Sequence, residues 1–157
     1  MLEEELAKLF LKKKKTLSIA ESCTGGLICH RLTNIPGSSK FFKAGLIVYS
    51  NETKIHLLKI PSQTLQKYGA VSEVVAEKMS QNIRQLLQTD FGVGITGIAG
   101  PTGGSVAKPV GLIFISVSSK EKTICRKFIF KGSRLKIKTQ AAMQALKMLL
   151  IFLCDRK

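Results

Sequence analysis

The first two thirds of the chain alternate β-rich runs with helix-forming stretches, and this alternation limits the fold more than any other feature. Strand patterns fall at 17–20, 41–49 and 91–96. Between them lie helical patterns. One starts at Thr24, carries Leu27, Ile28 and Leu32, and closes on turn residues at 34–37; a short one covers 52–59 and stops before Pro61. A third opens on Ser72 as N-cap and runs to about Gln88, with Val75, Met79, Ile83, Leu86 and Leu87 inward. Strands separated by helices need crossover connections, so neighbouring strands lie parallel and helices cover both faces. Upstream, Leu2, Leu6, Leu9 and Phe10 mark an opening amphipathic helix, with acids at its start and Lys12 to Lys15 at its end, as the helix dipole favours. Downstream, 112–118 and 123–130 read as a β-hairpin, and Ser133 opens a last helix to about Cys154. The expectation is one α/β domain over residues 1–157, a three-layer α/β/α unit with a mixed, partly parallel sheet.

Composition supports a packed core and narrows the partners. Apolar residues make up 45% of the 157, too many for a disordered chain. The formal charge of +15 favours phosphorylated small molecules or polyanions. Twenty of the 25 basic residues are lysines scattered along the chain, whereas readers of nucleic-acid sequence lean on arginine and interleaved aromatics. Nucleic-acid contact is therefore expected to be non-specific if it occurs. Cys23, Cys29, Cys125 and Cys154 form no CxxC pair, and with only His30 and His56 beside them no zinc pattern arises. The start MLEEELAKLF lacks the basic and apolar regions of a signal peptide, and no apolar run approaches the ~18 residues of a membrane span. A cytoplasmic protein with free thiols and no membrane partner is expected.

Three tempting motifs fail on context. Gly92 to Gly97 spells GxGxxG, but its first glycines sit inside a strand and no helix follows. The later glycine run lacks the Gly-Lys-Ser/Thr of a Walker loop. Ser105 to Lys108 spells SxxK in a Gly/Pro-rich loop where that motif requires a helix.

A sharper constellation gathers at strand ends. The stretch SIAESCTGGL sets Ser22, Cys23 and Thr24 side by side, just after the first strand. Open α/β sheets bind ligands at the carboxyl edge, where N–H groups of a helix start could hold an oxyanion or phosphate. Gly25 and Gly26 would keep side chains out of a ligand's way. Taken alone, the stretch fits a capped turn better than a reaction centre. A serine also needs a base. Neither histidine suggests a triad, and a lysine kept neutral by burial is the other standard choice. VYSNETK, at 48–54, follows the second strand, and there Tyr49 and Lys54 can converge on the same edge. The third piece, 96–105, follows the third strand and carries Thr96, Gly97, Gly100, Thr102, Gly103 and Gly104; loops of this kind offer N–H groups to a phosphate or ribose.

AESCTGGL (20–27), IPGSSKFFKAGLIVYSNETK (35–54), YGAVSEVVA (68–76) and TGIAGPTGG (96–104), with KPVG (108–111) and GSR (132–134), occur in an order and spacing that resembles the CinA C-terminal domain family, the nicotinamide-nucleotide amidohydrolases. The resemblance implies hydrolysis of the carboxamide of nicotinamide mononucleotide to nicotinate mononucleotide and ammonia. It implies Ser22 as nucleophile, Tyr49 and Lys54 as its catalytic partners, and substrate contacts from Thr24, Gly25, Gly26 and the 96–104 loop. It also implies a three-layer α/β/α fold, a homodimer, and neither metal nor cofactor. Many relatives carry an additional N-terminal domain, whereas this chain begins almost at the opening helix, and a stand-alone form is expected. Relatives often have Arg near Lys138. Two rival expectations remain: a non-catalytic polyanion- or DNA-binding protein tied to competence or damage, and an inactive relative that binds the nucleotide.

Overall fold

The computed structural model describes residues 1–155. Among the described residues six α-helices and five strands follow one another, with a 3-10 turn at Ser38–Lys40 between the second helix and the second strand. They are α1 (Leu2–Lys13), β1 (Leu17–Glu21), α2 (Leu27–Thr33), β2 (Phe42–Ile47), α3 (Asn51–Leu58), α4 (Ser62–Tyr68), α5 (Glu73–Leu86), β3 (Phe91–Gly97), β4 (Leu112–Ser118), β5 (Thr123–Ile129) and α6 (Arg134–Cys154). The five strands form one mixed sheet in the order β2-β1-β3-β4-β5. β2, β1 and β3 run parallel, and β4 and β5 add antiparallel partners on the far side of β3.

Helices cover both faces, as the alternation implies. Residues of α1, α2 and α6 pack with one side of the sheet in the larger core, where Phe10 stacks on Phe41 at 5.1 Å and meets Phe91 edge-on. Val75, Met79 and Ile83 of α5 pack on the other side, with Leu58 of α3 and Leu65 of α4. Central β1 is buried at all five positions, whereas edge strand β2 alternates between half-buried and exposed. Glycines let α5 sit close on β3. A Cβ on Gly94 would stand 2.5 Å from the Ala76 carbonyl oxygen and 2.6 Å from the Ser80 nitrogen. Close approach, by α5 at Gly92 and Gly94 and by β4 at Gly97, accounts for the GxGxxG string.

Several boundaries differ from the sequence reading. α2 begins at Leu27 because residues 23–26 form a turn first. β2 stops at Ile47, leaving Tyr49 in the link to α3. α4 has no counterpart in the reading, which treated Pro61 as a stop, whereas Pro61 stands as the N-cap of that short helix. Leu86 is 52% exposed and does not point inward. The Ser72 and Ser133 caps form as expected, each accepting from the N–H three residues on. By length and composition, α6 could cross a membrane, and its Ala141, Ala142, Leu146 and Leu149 are packed in the core.

Candidate active site

The parallel register sets the site. Glu21 pairs with Ile47 on one side and Ile95 on the other, so β1, β2 and β3 end at one edge of the sheet. Ser22, the 48–54 link and the end of β3 therefore meet there. A cavity of about 290 Å³ opens among them. Ser22 and Cys23 form its wall from the β1 end, and Tyr49 and Lys54 come from the link to α3. Ala70 and Val71 enter from the link between α4 and α5, Thr96 through Gly100 with Thr102 and Gly103 from the loop after β3, and Arg134 from the start of α6.

Lys54 is the chemical centre of this space. Ser50 caps α3 by accepting the Thr53 N–H at 3.1 Å, which orients the helix so that Lys54 turns inward. Lys54 is 1% exposed. Nζ donates to Ser22 Oγ at 3.1 Å, to the Val48 carbonyl at 2.8 Å and to the Tyr49 carbonyl at 3.2 Å. Among the described residues no carboxylate pairs with it. Burial without a counter-ion disfavours the charged form and brings the amine down to about 8. A neutral amine keeps two N–H bonds, one for each carbonyl, and turns its lone pair to the Ser22 hydroxyl. Burial has the opposite consequence for Cys23, whose thiol is pushed up to about 12 and stays protonated at neutral pH. Thr24 Oγ1 is buried without a hydrogen-bond partner, and Thr24 does not line the cavity. Of the three adjacent candidates, only Ser22 stands beside a base.

The start of α2 is occupied, contrary to the expectation for residues 24–26. Glu21, wholly buried, accepts the N–H groups of Gly26 at 3.0 Å, Ile28 at 3.2 Å and Cys29 at 2.9 Å. The Gly25 N–H is bonded to the Ser22 carbonyl at 3.1 Å. Unpaired N–H groups at a helix start need acceptors, and the carboxylate one residue before Ser22 supplies them. Gly25 and Gly26 serve the backbone, with φ of 62° and 95°, and do not line the cavity. Gly104 does not line it either. The N–H groups of Cys23 and Thr24 meet no carbonyl or side-chain oxygen among the described residues, and of the two residues only Cys23 lines the cavity beside Ser22.

Arg134 is a site residue that the motif reading does not single out. Nη2 donates to the Tyr49 hydroxyl at 2.8 Å and Nη1 to the Gly100 carbonyl at 2.7 Å, so one guanidinium joins two walls of the mouth. The available signal was its place in GSR, ahead of the last helix, as one of only five arginines. Thr96 is buried and donates to the Ala70 carbonyl at 2.9 Å, holding the apolar wall of Ala70 and Val71 against the end of β3. His30 and His56 are exposed and lie outside the cavity. Among the described residues no three His, Cys, Asp or Glu side chains converge as metal ligands.

Comparison with known proteins agrees with this architecture. The family model for the CinA C-terminal domain matches residues 1–153. A CinA-like protein of Syntrophus aciditrophicus is 47% identical over 149 residues, covering 94% of this chain and 36% of that protein. The chain thus spans about a third of the length of the curated relatives it matches. The crystal structure of the competence damage-inducible protein A (ComA) from Klebsiella pneumoniae is 29% identical with a TM-score of 0.96, over 99% of this chain and 97% of that one. The competence/damage inducible protein CihA from Agrobacterium tumefaciens is 35% identical with a TM-score of 0.92, over 98% and 96%.

Proposed function

Because the chain belongs to the CinA C-terminal domain family, we propose that it is an amidohydrolase that converts nicotinamide mononucleotide and water to nicotinate mononucleotide and ammonia. The observation that carries this reading is the buried Lys54 amine 3.1 Å from Ser22 Oγ, lowered to about 8 and without a carboxylate partner.

The geometry supports the following steps. Lys54 Nζ takes the hydroxyl proton as Ser22 Oγ attacks the carboxamide carbon. Cys23, the residue after the nucleophile and part of the cavity wall, is the backbone donor proposed for the developing oxyanion. The carbon–nitrogen bond breaks, the departing nitrogen takes the proton from Lys54, and ammonia leaves an ester on Ser22. Water, deprotonated by Lys54, then attacks that ester and frees the acid. The apolar wall of Ala70, Val71, Ile98 and Ala99 suits a pyridine ring. Arg134, beside the 97–103 loop, suits the phosphate.

The purified protein, without added metal, should release ammonia from nicotinamide mononucleotide, and Lys54→Ala should lower the rate at least ~100-fold. A wild type that releases none overturns the reading. The charge of +15 favours a second reading, a polyanion-binding role in keeping with the competence and damage names of the structural neighbours.

A further inference from the structure

We infer that Glu21 is the positioning residue of this site, an inference that rests on the serine-hydrolase reading above. Glu21 is the last residue of β1 and Ser22 is the next. The Glu21 backbone is fixed between β2 and β3, and the Ser22 N–H is held by the Ile95 carbonyl at 3.2 Å. Its carboxylate reaches across the turn and accepts three N–H groups from residues five, seven and eight positions on. The two ends of the 22–25 turn are thereby fastened to one side chain. The turn itself is closed by the Gly25 N–H on the Ser22 carbonyl.

Two consequences follow. Ser22 Oγ is held in register with Lys54, although it sits on a non-repetitive turn next to two glycines. The charge attraction of the α2 start is also spent on Glu21, so a substrate anion finds no open donor there. What stays beside Ser22 on the cavity wall is the Cys23 backbone. Glu21 touches neither Lys54 nor the cavity, so it acts through Ser22 and not on the substrate.

Glu21→Gln tests this. The amide keeps one acceptor oxygen but sets an NH2 group against one of the three N–H donors. Expected is a fall in kcat for ammonia release of at least ~10-fold with KM within ~3-fold of wild type. The pH midpoint of the rate should stay near 8, because Lys54 keeps its surroundings. An independent arm reads the same residue without the substrate: labelling of Ser22 by a fluorophosphonate, followed by mass spectrometry. There the oxygen–phosphorus bond forms, fluoride leaves, and Lys54 takes the proton. Labelling should slow by the same factor as kcat. Circular dichroism checks folding; if Glu21→Gln does not fold, Glu21→Asp, which keeps the charge but spans less, is read the same way. A folded variant with kcat and labelling within twofold of wild type overturns the inference, as does a rise in KM that accounts for the loss. If the wild type releases no ammonia but labels at Ser22 in a Glu21-dependent way, the positioning role stands and the substrate reading falls. A wild type that does not label at Ser22 overturns the positioning role.

Discussion

Lys54 carries two measurable consequences at the scale of a single residue. If its neutral amine is the base, the rate of ammonia release rises about tenfold per pH unit below its pKa and levels above about 8. A pH–rate profile between 6 and 9.5 should show one ionisation near 8, and a midpoint near 6.5 would point to a histidine instead. Stability moves with the same proton. Lys54 in the folded chain has a lower pKa than in the unfolded chain, so between about 8 and 10.5 the unfolded chain binds the extra proton. Unfolding free energy therefore rises with pH through that window, and the buried charge is a cost below it. Denaturant melts at pH 7 and pH 10.5 should show wild type gaining on the order of 3 kcal/mol relative to Lys54→Met, which has no amine to titrate. A parallel response of the two proteins would mean that the amine is not buried in solution.

Elements decide where such residues can stand, and here the sequence was readable to different depths. The alternation of strands and helices, the Ser72 and Ser133 caps and the hairpin were all legible, because each rests on local periodicity or a local hydrogen bond. The convergence of Ser22, Tyr49, Lys54 and the 96–103 stretch was legible for the same reason: each follows a parallel strand. The Glu21 carboxylate was not, since in sequence it reads only as the last residue of a strand. Arg134 was not legible either, because its partners lie 85 and 34 residues away and no local pattern pairs them. α4 hid behind a proline that usually ends helices and here begins one. The closeness of α5 to β3 gives an element-level test. Gly94→Ala would drive a methyl into the α5 backbone, where no side chain can move aside, and should lower stability by about 1–3 kcal/mol or more. Thermal unfolding would register this as a clear drop in Tm, whereas an unchanged Tm would mean that α5 is less tightly seated.

At the scale of the whole molecule, charge and site make separate demands. Lys12, Lys13 and Lys14 at the end of α1 are exposed, as are Arg126 and Lys127 on β5, so much of the +15 lies away from the cavity. Such a surface should hold duplex DNA through phosphates alone. Binding measured by fluorescence anisotropy should weaken at least ~100-fold between 50 and 200 mM salt, with no preference among sequences. Tight, sequence-dependent binding that survives 200 mM salt would favour the polyanion reading over an amidohydrolase.

Arg134, the first residue of the last helix, reaches back to Tyr49 and Gly100, and that connection makes the mouth of the site depend on the far end of the chain. Ser22 and Lys54 can meet once β1 and β2 pair, but the mouth closes only when the chain has returned from β5 and α6 has docked. A chain halted before residue 134 would lack both the clamp and the α6 side chains that fill the larger core. Competence therefore depends on a contact that spans 85 residues as well as on formation of the sheet.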